Sequence, residues 1–117
     1  MDYSTASTDE IDSVVPDEFG GMWFFRDALD CESLGITLLE LEAGGKGKAH
    51  DHADEDHEEV YLVVDGELTV ELGGGADDPE TAETIVAGEA IRVAADTRRQ
   101  LHNHGDGTVR VVIAGAP

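Results

Sequence analysis

Lysine is almost missing from this chain. Of 117 residues only Lys46 and Lys48 are lysines, and seven bases face 27 acids, for a net charge of −20. A surface so negative is repelled by phosphate backbones and anionic lipid, which argues against a nucleic-acid or membrane-surface role. The same imbalance suits a protein kept soluble in concentrated salt, where screening within a few Å removes the mutual repulsion. Cysteine occurs once, at Cys31, so no internal disulfide forms, in keeping with a reducing compartment. Asp30 and Glu32 flank that thiol and disfavour its reactive thiolate. No run approaches the roughly 18 apolar residues of a membrane span. No basic stretch followed by an apolar run opens the chain, and a cytoplasmic location is therefore expected. Aromatics are scarce as well, yet Phe19, Trp23, Phe24 and Phe25 fall close together.

What is present is a 40% hydrophobic content, enough for one core in one domain. Residues 1–18 are polar and acidic, with one short helical turn expected around Thr8–Ser13. Met22–Phe25 reads as an edge strand that docks on the main body or on a second subunit. Residues 1–33 are thus expected to be an N-terminal extension and edge segment, and 34–117 a β-barrel. From Leu34 onward apolar residues alternate with polar ones, or form short runs between turn residues, which is the pattern of strands. The predicted strands are Gly35–Glu42, Lys46–His50, Glu59–Val64, Glu67–Leu72, Glu83–Val86, Ala90–Val93, Arg98–Asn103 and Thr108–Ala114. Gly44-Gly45, Asp65-Gly66, Gly73-Gly74-Gly75 with Asp77-Asp78-Pro79, Gly88 and Gly105–Gly107 mark the turns. No long capped helical pattern occurs. An all-β sandwich, jelly roll or barrel follows.

The chemistry concentrates at His50-Asp51-His52. Residues two apart on a strand point the same way, so both imidazoles would face one side, as a metal ion requires of two nitrogen ligands. Glu59 opens the next predicted strand, with Tyr61 and Val63 on its face and Val60, Leu62 and Val64 on the other. If the chain folds back, Glu59 supplies an oxygen ligand across from the histidines. On spacing alone, an acidic loop with incidental histidines stands as the alternative.

Gly44, five residues, His50-x-His52, then Glu59, six residues and Gly66 resembles the first motif of the cupin superfamily, Gly-x5-His-x-His-x3,4-Glu-x6-Gly. Here six residues, Ala53–Glu58, separate His52 from Glu59, and this longer acidic loop contains His57. Loop insertions cost little. The second motif, Gly-x5-Pro-x-Gly-x2-His-x3-Asn, keeps Gly88 and Asn103 but has Ala94, Asp96 and Arg99 at the proline, glycine and histidine positions. Metal-binding cupins complete their ligand set with that histidine, and a guanidinium cannot ligate a cation.

The resemblance implies an all-β double-stranded β-helix, that is, a jelly-roll barrel with an internal pocket. It implies a divalent transition metal (zinc, manganese, iron, nickel or copper) on His50, His52 and Glu59, with His57 as a substitute fourth ligand if its loop folds inward. Arg99, Leu101 and Asn103 share a strand face, which puts Arg99 at the barrel mouth and His102 and His104 on the opposite side. Arg99, Tyr61 and Asn103 are the expected ligand-binding residues. A buried arginine needs a partner, either Glu59 or an anionic group on a small-molecule ligand. Leu39, Leu41, Tyr61, Val63, Leu101 and Val111 or Val112 are the expected pocket wall. Three functions follow: a small-molecule-binding cupin, a metal-dependent oxygenase or isomerase, or a structural homodimer with a vestigial pocket. Val60, Leu62, Val64 and Trp23–Phe25 would form the dimer interface, which is compatible with either of the other two readings as well.

Overall fold

The alternation along the chain sorts side chains between one apolar interior and solvent, and the strands pair to suit. A computed structural model describes residues 1–75 and 78–117. Its strands are β1 (Gly20–Phe24), β2 (Gly35–Leu41), β3 (Glu58–Asp65), β4 (Glu67–Leu72), β5 (Thr81–Val86), β6 (Ala90–Val93), β7 (Arg99–His102) and β8 (Val109–Ala116). They build two antiparallel sheets in the orders β1-β2-β8-β3-β6 and β5-β4-β7. The fold is an all-β jelly roll.

Both sheets feed one core. Leu39, Leu41, Tyr61, Val63, Val93, Val109, Val111 and Ile113 come from the five-stranded sheet, and Leu68, Val70, Ile85 and Leu101 from the other. In β3 the alternation is clean: Tyr61 and Val63 are buried while Val60, Leu62 and Val64 are exposed. The Asp65-Gly66 turn joins β3 to β4, with Gly66 at a φ of 91° that a side chain would strain. A Cβ there would also press within 3.0 Å of Thr108 and Val109 backbone atoms.

Two expectations need correction. Lys46–His50 is extended but not a continuous strand. It meets β7 at isolated bridges, Lys46–His102 and His50–Arg99, and through Gly47 N–H, which donates to Leu101 O at 2.9 Å. The Gly47 carbonyl accepts from the Gln100 side chain at 2.9 Å. Thr8–Ser13 holds an isolated turn, closed by Glu10 N–H donating to Ser7 O at 3.0 Å, not a helical segment. The helix that does form, α1 (Arg26–Leu29), spans four residues, too few to show periodicity. Asp30, in the left-handed region, ends it. Of the predicted turn after β4, Asp77 lies outside the described residues, as does Ala76. No helix among the described residues is long and apolar enough to cross a membrane.

Candidate metal centre

His50 is fixed by two backbone hydrogen bonds with Arg99: its N–H donates to Arg99 O at 2.9 Å and its carbonyl accepts from Arg99 N–H at 2.8 Å. His52 N–H donates to Ala95 O at 2.8 Å. Thus anchored, the two rings meet edge to face with centroids 4.9 Å apart. Glu59, at the start of β3, points inward beside them. One donor atom each from His50, His52 and Glu59 all lie within 4.8 Å of one another.

The outer ring nitrogens prepare both histidines. His50 Nδ1 lies 2.8 Å from Lys48 O, a carbonyl that only accepts, so Nδ1 carries the proton. His52 Nδ1 lies 3.0 Å from Glu55 Oε2, and the same reasoning applies. In the neutral form each ring so held presents an Nε2 lone pair, the tautomer a metal ion takes. The Glu55 carboxyl is itself held below the usual carboxylate range, first by that hydrogen bond and then by the charge interaction with His52. Glu55 stands in the long loop between His52 and Glu59, so the extra residues orient a ligand. Spacing alone did not reveal this.

The arrangement passes a chemical test of fit. His52 Nε2 is buried and makes no hydrogen bond, although Glu59 Oε1 lies 3.1 Å away. With the ring neutral these are two acceptor atoms in contact, an arrangement that a cation between them satisfies. Nitrogen and oxygen ligands each about 2 Å from one ion stand at about that separation.

Where a histidine would complete the set, Arg99 is wholly buried. It donates through Nη1 to Glu59 Oε1 at 3.2 Å and through Nη2 to Ala94 O at 2.6 Å, while its Nε has no partner. Of the two partners open to it, the protein's own carboxylate holds it. It is not among the residues that line the main cavity. Tyr61 does line it, and donates its hydroxyl to Glu59 Oε1 at 2.5 Å. Burial, then the Glu59 carboxylate, raises the phenol far above its ordinary range. Asn103 is also buried, but its Nδ2 lies 3.0, 2.9 and 2.8 Å from the carbonyls of Leu41, Glu42 and Gly107. Its Oδ1 accepts from Gly105 N–H. The amide ties loops together and is spent on backbone. His57 stands apart from the cluster, 3.7 Å from Glu55 and beside a small void of about 90 Å³. His102 pairs with Glu71 at 2.9 Å and stacks on His104.

The cluster forms one end of a cavity of about 760 Å³. Leu39, Leu41, Tyr61 and Leu101 line it as expected; Val63 and Val111 are packed in the core, Val112 belongs to the outer face, and Ile113 contributes instead. The register explains this, because Ile113 sits opposite Thr37 and Tyr61, which line the same cavity. The sequence pattern did not reveal the far wall: Val15, Pro16, Phe19, Met22 and Phe24. Met22 and Phe24 share the inward parity of β1, set by pairing opposite Leu39 and Thr37.

Comparison with known proteins finds the Cupin domain family matched over residues 37–115. No curated protein matches the chain. Among solved structures, a Bacillus halodurans protein is 22% identical with a TM-score of 0.66; the match covers 73% of this chain and only 63% of that protein's length. A cupin protein from Bacteroides fragilis is 20% identical, with a TM-score of 0.76 over 99% of this chain and 85% of its own. A sugar phosphate isomerase from a cupin superfamily, from Silicibacter pomeroyi, is 22% identical, with a TM-score of 0.73 over 97% and 75%. At these identities the likeness is one of fold.

Proposed function

The chain belongs to the Cupin domain family, and on that premise we propose that it binds a small molecule in its cavity beside a divalent transition metal held by His50, His52 and Glu59. The observation that carries this is the pair of imidazoles, each with its Nδ1 engaged by an acceptor and each offering a donor atom within 4.8 Å of the other and of the Glu59 carboxylate. Zinc, manganese, iron, nickel and copper all accept such a donor set. Elemental analysis after growth with these metals is expected to find about one equivalent per chain, and none in the His50→Ala/His52→Ala variant. A wild type with only trace metal under those conditions overturns the metal reading.

A metal-dependent reaction, oxygenation or isomerisation, is the second reading. Three protein ligands leave coordination positions open, and a metal there supplies Lewis-acid or redox chemistry. Tyr61 lines the same cavity, and with its raised pKa it keeps its proton and acts as a hydrogen-bond donor, not a base.

A second copy of the chain is the proposed partner. The outer face of the large sheet carries the row Trp23, Leu38, Val112, Leu62 and Ala90 in register across five strands, with Ile36, Ala114 and Val60 alongside. Gly21 lacks a side chain because the Trp23 ring lies where a Cβ would stand. The charges flanking this row cancel, as Glu58–Arg92 and Glu40–Arg110 ion pairs. A neutral apolar face on a chain of charge −20 suits self-association once salt screens the rest. The acid excess and scarce lysine likewise support a salt-rich, reducing cytoplasm as the working environment. Light scattering in about 2 M salt is expected to show a dimer; a monomer there removes the pairing.

A further inference from the structure

The two lysines of this chain lie together at one place. Lys46, Lys48, His50 and His52 alternate along one extended segment, and all four line the main cavity. Both lysines are exposed at its rim, and among the described residues neither forms an ion pair, although the chain carries 27 acids. Arg92, Arg99 and Arg110, by contrast, each hold a glutamate. The carboxylates lining the cavity are Glu42 and Glu59, and Arg99 already neutralises Glu59. The cavity thus bears a local excess of positive charge inside a strongly negative surface. Solubility does not call for it, because the acids supply that.

The remaining wall is apolar: Phe19, Met22, Phe24, Leu39, Leu41 and Ile113. Hydroxyl groups of a sugar would find few partners against such a wall, and burying them unpaired is unfavourable. Its volume of about 760 Å³ lies within the range of small-molecule sites. We propose that the cavity takes an apolar organic anion, its charged head held by Lys46 and Lys48 and its hydrocarbon or aromatic body packed against Phe19, Met22, Phe24, Leu39 and Leu41. This rests on the reading of the cavity as a ligand site and is independent of the metal. An ammonium is suited to the task as a flexible point charge that reaches a carboxylate or sulfonate at the rim.

The test uses anilinonaphthalene sulfonate as the fluorescent probe, displaced by phenylbutyrate or by its uncharged amide. Chelator-treated and zinc-loaded protein are compared. Phenylbutyrate is expected to displace the dye roughly tenfold more effectively than the amide in both samples. In Lys46→Gln/Lys48→Gln that preference should fall to within about twofold, with the amide unchanged. Equal displacement by acid and amide in the wild type overturns the proposal, as does a preference that survives in the double variant. A preference confined to zinc-loaded protein and indifferent to the lysines places the head group on the metal, overturning this inference while sparing the metal reading. Failure of both competitors overturns it together with the ligand-site reading, whereas metal uptake in the same samples is scored separately.

Discussion

Glu59→Gln and Arg99→Met are each expected to cost about 3 kcal/mol of stability, and the double variant clearly less than their sum. Arg99 is completely buried, and its one ionised partner is the Glu59 carboxylate at 3.2 Å. Neutralising Glu59 strands a permanent charge in the interior, with only neutral carbonyl oxygens, that of Ala94 among them, left to it. Removing Arg99 leaves Glu59 negative beside a buried phenol and the unprotonated face of His52. Glu59 keeps some solvent contact, at 16% side-chain exposure, which places both effects at the lower end of the range for buried pairs. Urea unfolding of the four proteins without metal gives the coupling. A coupling of at least about 1.5 kcal/mol is expected; additivity within about 0.5 kcal/mol would mean that the pair does not act as a unit.

Arg99→His is expected to raise zinc affinity by about tenfold to a hundredfold. In the wild type the guanidinium engages the same carboxylate oxygen that lies 3.1 Å from His52 Nε2. It keeps a positive charge beside any cation placed there and draws electron density from one of the three ligands. An imidazole at this position removes that charge and adds a fourth nitrogen. Calorimetric titration with zinc reads the change directly. A wild type that already binds zinc as tightly as the variant would show that Arg99 does not limit the site.

Much of this was legible in the residues. Period-two alternation locates the β3 faces because a half-buried strand has no other way to separate Tyr61 and Val63 from Val60 and Leu62. The spacing of Gly44, His50, His52, Glu59 and Gly66 places the ligand cluster because the flanking glycines mark the turns around it. Three things were not legible. Arg99 had two partners open to it, and only the three-dimensional neighbourhood shows that Glu59 and Ala94 occupy its fork. Glu55 reads as one more acid in an acidic loop until the turn carries it back onto His52 Nδ1. The leading segment has no period long enough to announce a cavity wall; β1 acquires its inward face by pairing with β2.

The family match begins at residue 37. His50, His52 and Glu59 lie within the matched stretch, whereas Val15, Pro16, Phe19, Met22 and Phe24, on one wall of the cavity, lie before it. A different leader would reshape that wall and leave the three side chains where the strands and the His50–His52 segment hold them, so the outline of the cavity and its polar end can be altered separately.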